Sequence, residues 1–255
     1  MCGRYTLTRP ELVPDEFEIS EVRIPPRFNI APTQEALVVR LDREGRREGA
    51  LLRWGLVPHW SAESAPSART INARAESLLQ RPSFRDAFRF RRCLVPADGF
   101  FEWTPADQVE SLERWLRGGA SEPPVAGPKL PGGRRQPWYI TLDPPRLFAF
   151  AGLWEWNRRG PEPLETFTII TCDPSQRLRP FHDRMPVILP REHHSRWLDP
   201  ETPLEVCQAL LVPYPADAVT CVPVDPVVNR PEADDPRCIR PRASVQSGLF
   251  GAGLP

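Results

Sequence analysis

RRCLVPADGFFEW (Arg91–Trp103) is the stretch that decides the fold class. It holds two apolar runs of strand length, Arg92 to Val95 and Gly99 to Trp103, with Pro96 and Asp98 between them as breakers. Side chains alternate along a strand, so Glu102 shares a face with Phe100, while Phe101 and Trp103 take the other. Similar runs recur outward in both directions: Ala36 to Leu41, Ala50 to Val57, Trp138 to Leu142, Leu147 to Trp154, Phe167 to Cys172, Val187 to Leu189 and Val219 to Val224. Helical periodicity is rarer and is best at Ala73 to Leu79, Arg191 to Leu198 and Leu204 to Leu211. Thr8-Arg9-Pro10-Glu11 reads as a capping box with an early proline, which predicts a short helix after it. Strands dominate, hairpin spacing is common and strand–helix alternation is absent. The pattern predicts an α+β fold, predominantly antiparallel β-sheet with a barrel-like core and flanking short helices.

The chain has 255 residues, and its 33 basic side chains balance 33 acidic ones. That length carries one domain with a large core, expected over residues 1–242. Residues 105–136, rich in proline and glycine, read as an inserted mobile surface loop in which Val109, Leu112, Trp115 and Leu116 give a short amphipathic stretch. Residues 243–255 read as a flexible tail. No apolar run reaches the roughly 18 residues of a membrane span, and the N-terminus lacks the apolar core of a signal peptide. The expected compartment is the cytoplasm. Zero net charge argues against general coating of duplex DNA but leaves room for a local basic cleft. Lys129 is the single lysine among the basic residues, so any anion site here uses arginine. The six cysteines show no CxxC pair and no metal-ligand spacing; no metal and no cofactor is expected, and the thiols are expected to be reduced.

Cys2 opens the chemistry. Removal of Met1 leaves a free α-amine and a thiol on adjacent carbons, with ordinary pKa values of about 7.7–8.0 and 8.5. This 1,2-aminothiol condenses with an aldehyde to an imine that the sulfur closes to a thiazolidine; alternatively the amine activates the thiol as a nucleophile. Glu102, flanked by aromatic residues, is a candidate proton-transfer group or a strand-edge ion-pair partner. His182, in Phe181-His-Asp-Arg-Met-Pro186, is a general acid/base candidate or a turn histidine bonded to backbone. Asn72 either caps the predicted helix or steadies an oxyanion. Arg74, by that helix start, and Arg4, two residues from Cys2, are phosphate-binding candidates, with a solvated surface charge as the plain alternative for each. Trp60 and Trp103 either pack or stack on nucleobases beside arginines. His59 is either a groove residue or packing; His193 and His194 are expected idle on a surface helix.

Eight motifs in this order carry a resemblance: MCGRYTL, FNIAPTQ, WGLVPHW, INARAES, RRCLVPADGFFEW, IITCDPS, HDRMPVIL and the late VVNRPEADDPRCIRP. The chain resembles the SOS response-associated peptidase (SRAP) family from Cys2 to about Arg240. Phe101 stands where a tyrosine is common, and the insertion after Trp103 is longer than in compact members. The resemblance implies a mostly β fold and a bacterial, nucleoid-associated monomer that senses abasic sites in single-stranded DNA. It further implies a thiazolidine cross-link through Cys2 that shields the lesion in the SOS response, and autoproteolytic removal of residues ahead of Cys2. Carried over by position, Cys2, Asn72, Glu102 and His182 are catalytic. Arg4, Arg74, Arg184, Trp60, Trp103 and Thr171 would contact DNA. Two readings compete with covalent capture: an N-terminal-nucleophile thiol hydrolase acting on amides, and a non-covalent single-strand-binding module.

Overall fold

The computed structural model describes residues 2–62, 69–119, 121–124, 135–160 and 162–242. The first half of the chain contributes β1 (Tyr5–Leu7), α1 (Val13–Phe17), β2 (Arg27–Ile30), β3 (Glu35–Leu41), β4 (Arg47–Trp54), β5 (Asn72–Arg74), α2 (Pro82–Phe90), β6 (Arg92–Ala97) and β7 (Gly99–Pro105). The second half contributes α3 (Val109–Leu116), β8 (Arg135–Leu142), β9 (Phe148–Asn157), β10 (Leu164–Cys172), β11 (Met185–Pro186), β12 (Ile188–Leu189), α4 (His194–Leu198), α5 (Leu204–Ala209) and β13 (Val219–Pro223).

Five strands close a barrel in the order β10–β4–β3–β6–β9, with β9 returning to β10. The β4–β10 seam is parallel and the other four are antiparallel. Closure satisfies backbone groups that an open sheet would leave at its edges. Beyond the end of β4, β5 takes over as the parallel neighbour of β10, with Asn72 opposite Ile169 and Arg74 opposite Thr171. A second, antiparallel sheet runs β13–β8–β7–β1–β2. The fold is α+β with a barrel core, as the strand pattern predicts.

Strands β6 and β7 follow one another in sequence yet lie in different sheets. Asp98 stands at the crossing. Its buried carboxylate accepts the Thr6 hydroxyl at 2.5 Å and both the backbone N–H and the hydroxyl of Thr8 at 2.6 Å. Three donors on one ionised acceptor pin the start of the chain to this corner. The Thr8 hydroxyl is therefore spent on Asp98, and the turn Pro10–Leu12 and α1 that follow begin without a side-chain cap. The capping box is corrected for that reason. The inner face of the second sheet meets the barrel through aromatic edges: Tyr5 lies 5.3 Å from Trp54 and 5.8 Å from Phe150, and Phe100 lies 5.9 Å from Phe150. Where β9 passes between β6 and β10 there is room only for Gly152, because a Cβ there would stand 2.8 Å from Cys93 Sγ.

Three further expectations change. The helix predicted over Ala73 to Leu79 is instead β5 and a 3-10 turn, Ala75–Ser77, because β10 offers backbone partners that outweigh a weak local pattern. Helix α2 was not foreseen, although Pro82 at its start and Phe84, Ala87 and Phe88 on one buried face carry the signal. His194 is buried and stacked on Phe17 at 5.4 Å, not idle on a surface. In the stretch 105–136, α3 buries Val109 and Leu112, so that part is a docked helix. The other part, residues 120 and 125–134, and the tail expected at 243–255 lie outside the described residues. No described helix is long and apolar enough to cross a membrane.

Candidate active site

Cys2 lies fully buried just before β1, at the junction of barrel and second sheet. Asn72 reaches it from β5, its Nδ2 donating to the Cys2 carbonyl at 2.8 Å. The other amide atom, Asn72 Oδ1, is buried and has no hydrogen-bond partner among the described residues. One end of this amide fixes the first residue of the site, and the other stands ready to accept a proton donor. Burial pushes the Cys2 thiol well above its ordinary range, and the negative charge of Glu102 pushes it further. The sulfur is therefore kept as a neutral thiol within the field of the Glu102 charge.

Glu102 is buried on β7. Its register partner on β8 is Trp138, so both side chains take the same face. Trp138 meets Phe181 edge-on at 5.1 Å, which draws the His182 turn against the same indole. His182 Nδ1 receives the Arg184 backbone N–H at 3.0 Å and lies 2.5 Å from Asp183 Oδ1. Both contacts converge on Nδ1 and hold the ring in the turn.

The arginines divide. Arg184 is buried; its Nη2 donates to Glu76 and to the Thr171 carbonyl, both at 2.7 Å, and its Nη1 to Asp173 at 3.0 Å. Its Nε is buried without a hydrogen-bond partner among the described residues. Burial raises the Glu76 pKa, but the Arg184 bond and charge, a backbone hydrogen bond and the charge of Arg74 together outweigh it and hold the carboxyl below the ordinary range. Arg4 is turned to the outer face, where one terminal nitrogen, Nη1, donates to Asn29 Oδ1 and the Val228 carbonyl, each at 3.0 Å. Burial lowers its pKa. Arg4 is thus clamped through one of its terminal nitrogens to β2 and to the Val228 carbonyl. Thr171 is likewise fully buried, its hydroxyl 3.4 Å from the Ala73 carbonyl, so it braces β10 on β5 and presents nothing to solvent. Arg74 is exposed, and among the described residues its guanidinium makes no hydrogen bond or ion pair.

Trp60 is 46% exposed. Its turn is anchored at the far end of β9, where Asn157 Nδ2 donates to the carbonyls of Pro58 at 2.7 Å and Ser61 at 2.9 Å. His59 pairs there with buried Glu155 at 3.1 Å, so its role in this structure is to hold the turn. Asn157 opposes Leu164 on β10, whereas Asn72 opposes Ile169. At ~3.3 Å per residue those levels are about 16 Å apart. Trp60 therefore stands away from Cys2, not beside it. Trp103, on the face of β7 opposite Glu102, is half-buried against Phe101 and gives its indole N–H to Asn229 at 2.7 Å. Sequence reasoning missed the supports, namely Asp98, Asn29, Glu76, Asn157 and Asn229. Asn29 and Asp98 lie inside motifs already quoted, but nothing local reveals what they hold. All six cysteines are free.

The sequence matches the profile of a family described as SOS response associated peptidase (SRAP) over residues 1–231. An abasic site processing protein of Bacillus subtilis, YoqW, is 38% identical over 246 residues, which cover 94% of this chain and 99% of the relative. The mouse abasic site processing protein HMCES is 34% identical over 204 residues, 74% of this chain and 56% of that protein. Among solved structures, a protein from Bacteroides thetaiotaomicron shares the fold with a TM-score of 0.74 at 20% identity, over 95% of this chain and 100% of that one. A phage-related protein from Bordetella bronchiseptica matches at 31% identity with a TM-score of 0.65, over 88% of this chain and 94% of that one. With the family profile and full-length relatives agreeing, the chain belongs to the SOS response associated peptidase (SRAP) family.

Proposed function

We propose that this protein processes abasic sites in single-stranded DNA by covalent capture through Cys2. The observation that carries the reading is the buried Cys2 thiol, fixed through its carbonyl by Asn72 and acted on by the Glu102 charge. The names of the relatives, abasic site processing proteins, support the substrate class. The reaction requires a free amine on Cys2, hence loss of Met1, which lies outside the described residues. The ring-opened sugar of an abasic site carries an aldehyde. The Cys2 amine adds to it and releases water, leaving an imine. The Cys2 sulfur then adds to the imine carbon while its proton passes, by way of Glu102, to the nitrogen. The product is a thiazolidine, and the net change is loss of one water.

His182 gives and takes the proton that opens the sugar ring, a role that the fixed position of its ring in the turn favours. The buried Asn72 Oδ1 and Arg184 Nε offer an acceptor and a donor to the reacting sugar and its phosphate. Exposed Arg74 grips a neighbouring phosphate. Trp60, about 16 Å along β10, stacks on a base farther along the strand. The same thiol removes residues ahead of it in the autoproteolytic step. The cross-link shields the lesion from cleavage, as part of the response to DNA damage.

The test is a denaturing gel with single-stranded DNA carrying one abasic site. A shifted band is expected with the wild type and none with Cys2→Ala or with an unremovable tag ahead of Cys2. Full cross-linking by Cys2→Ala refutes the proposal. A Cys2-dependent turnover of added peptide without any shifted band would favour the hydrolase reading instead.

A further inference from the structure

The 3-10 turn Pro226–Asn229 touches both edges of the site from outside. Its Val228 carbonyl accepts Arg4, two residues from Cys2, and its Asn229 side chain accepts the indole N–H of Trp103, the residue after Glu102. Asn29 ties this turn and the chain beyond it to β2: its Nδ2 contacts the carbonyls of Val228 at 3.2 Å, Arg230 at 3.0 Å and Ala233 at 2.7 Å. Asp234 completes the fastening, its carboxylate accepting the Phe28 and Asn29 backbone N–H groups. Arg135 holds the Trp103 carbonyl at 2.7 Å. Trp103 is thus fixed at its backbone, at one flank by Phe101 and at its N–H by Asn229.

The Asn229 bond lies at an exposed position, where water would satisfy an indole N–H equally well. It therefore adds little to stability. Its effect is to hold the ring in one orientation. A stacking platform that is already ordered loses less side-chain entropy when a base arrives.

We propose that Asn229 is a positioning residue that presents the Trp103 indole for stacking by a base next to the captured lesion. This rests on the DNA reading proposed above. The closing segment of the chain is then a brace for substrate binding, and Asn229 acts through Trp103 without touching DNA.

The experiment follows cross-linking of a single-stranded oligonucleotide with one abasic site, as rate against protein concentration, for wild type, Asn229→Ala, Trp103→Phe and the double variant. Asn229→Ala should raise the half-saturating concentration about three- to tenfold, while the maximal rate changes less than twofold and the melting midpoint stays near wild type. The double variant should bind no worse than Trp103→Phe, since Asn229 has nothing left to hold. Wild-type half-saturation in Asn229→Ala overturns the proposal, as do independent losses that multiply in the double variant. A joint fall in maximal rate and melting midpoint also overturns it, because that marks a purely structural clasp. Failure of the wild type to cross-link at all strikes the reading of function instead, so the two failures are told apart.

Discussion

His194 makes acid the selective threat to this fold. The side chain is buried between α4 and α1, stacked on Phe17 with the rings 4° from parallel, and its Nε2 lies 3.2 Å from the Leu189 carbonyl. Its Nδ1 is buried with no hydrogen-bond partner among the described residues. Burial lowers its pKa from 6.5 to about 4, opposed by the Leu189 carbonyl and Glu18 and aided by Arg47 and Arg191. In the unfolded chain the ring takes up its proton near pH 6.5. Between about pH 6.5 and pH 4 the unfolded state therefore binds more protons than the folded one, and stability falls as pH falls. Above pH 6.5 both states are neutral and the loss is absent; below about pH 4 both are charged and the loss levels off. A gap of roughly 2.5 pKa units, at about 1.36 kcal/mol each, gives about 3 kcal/mol between pH 7 and pH 4. His194→Gln removes the titration and keeps a donor for Leu189. Urea unfolding at pH 7 and pH 4 should show a pH-dependent loss about 3 kcal/mol smaller in the variant, since carboxylates shared by both proteins cancel. Equal losses in the two proteins would refute the argument.

Replacing Asn72 with alanine leaves the buried Cys2 carbonyl unpaired and should slow cross-linking of abasic DNA by about tenfold or more, read as a single-turnover rate; an unchanged rate would remove Asn72 from the site. Asp98→Asn puts an amide where three donors converge and should cost about 2 kcal/mol, seen as a lower urea midpoint, with a wild-type midpoint denying the corner its role. Gly152→Ala forces a methyl to 2.8 Å from Cys93 Sγ, 2.9 Å from Val95 Cγ2 and 3.2 Å from the Thr168 carbonyl. It should destabilise the barrel by about 1–3 kcal/mol, and a stability equal to wild type would show that β9 has slack there.

What the sequence determined by itself is local. Period-2 alternation placed Glu102 with Phe100 on one face and Phe101 with Trp103 on the other, and β7 keeps that division: Phe100 reaches Phe150 in the barrel, while Phe101 and Trp103 pack under the closing segment. The position of Cys2, two residues into the chain, needed no folding to be read. What only the tertiary structure decided is which distant groups meet. The barrel closes by pairing β4 with β10, and Val57 N–H finds the Thr166 hydroxyl 109 residues on; no short window of sequence encodes that. Asn72 changed from a helix cap to the tether of Cys2 because β10 supplied a backbone partner for residues 72–74. Arg4 and Arg74 shared a surface charge as their plain alternative in the sequence, yet folding gave Arg4 internal partners and left Arg74 outside. The reason is the range of the forces. Alternation and turn chemistry act over a few bonds, whereas burial, pairing and pKa are set by whatever the closed chain brings alongside.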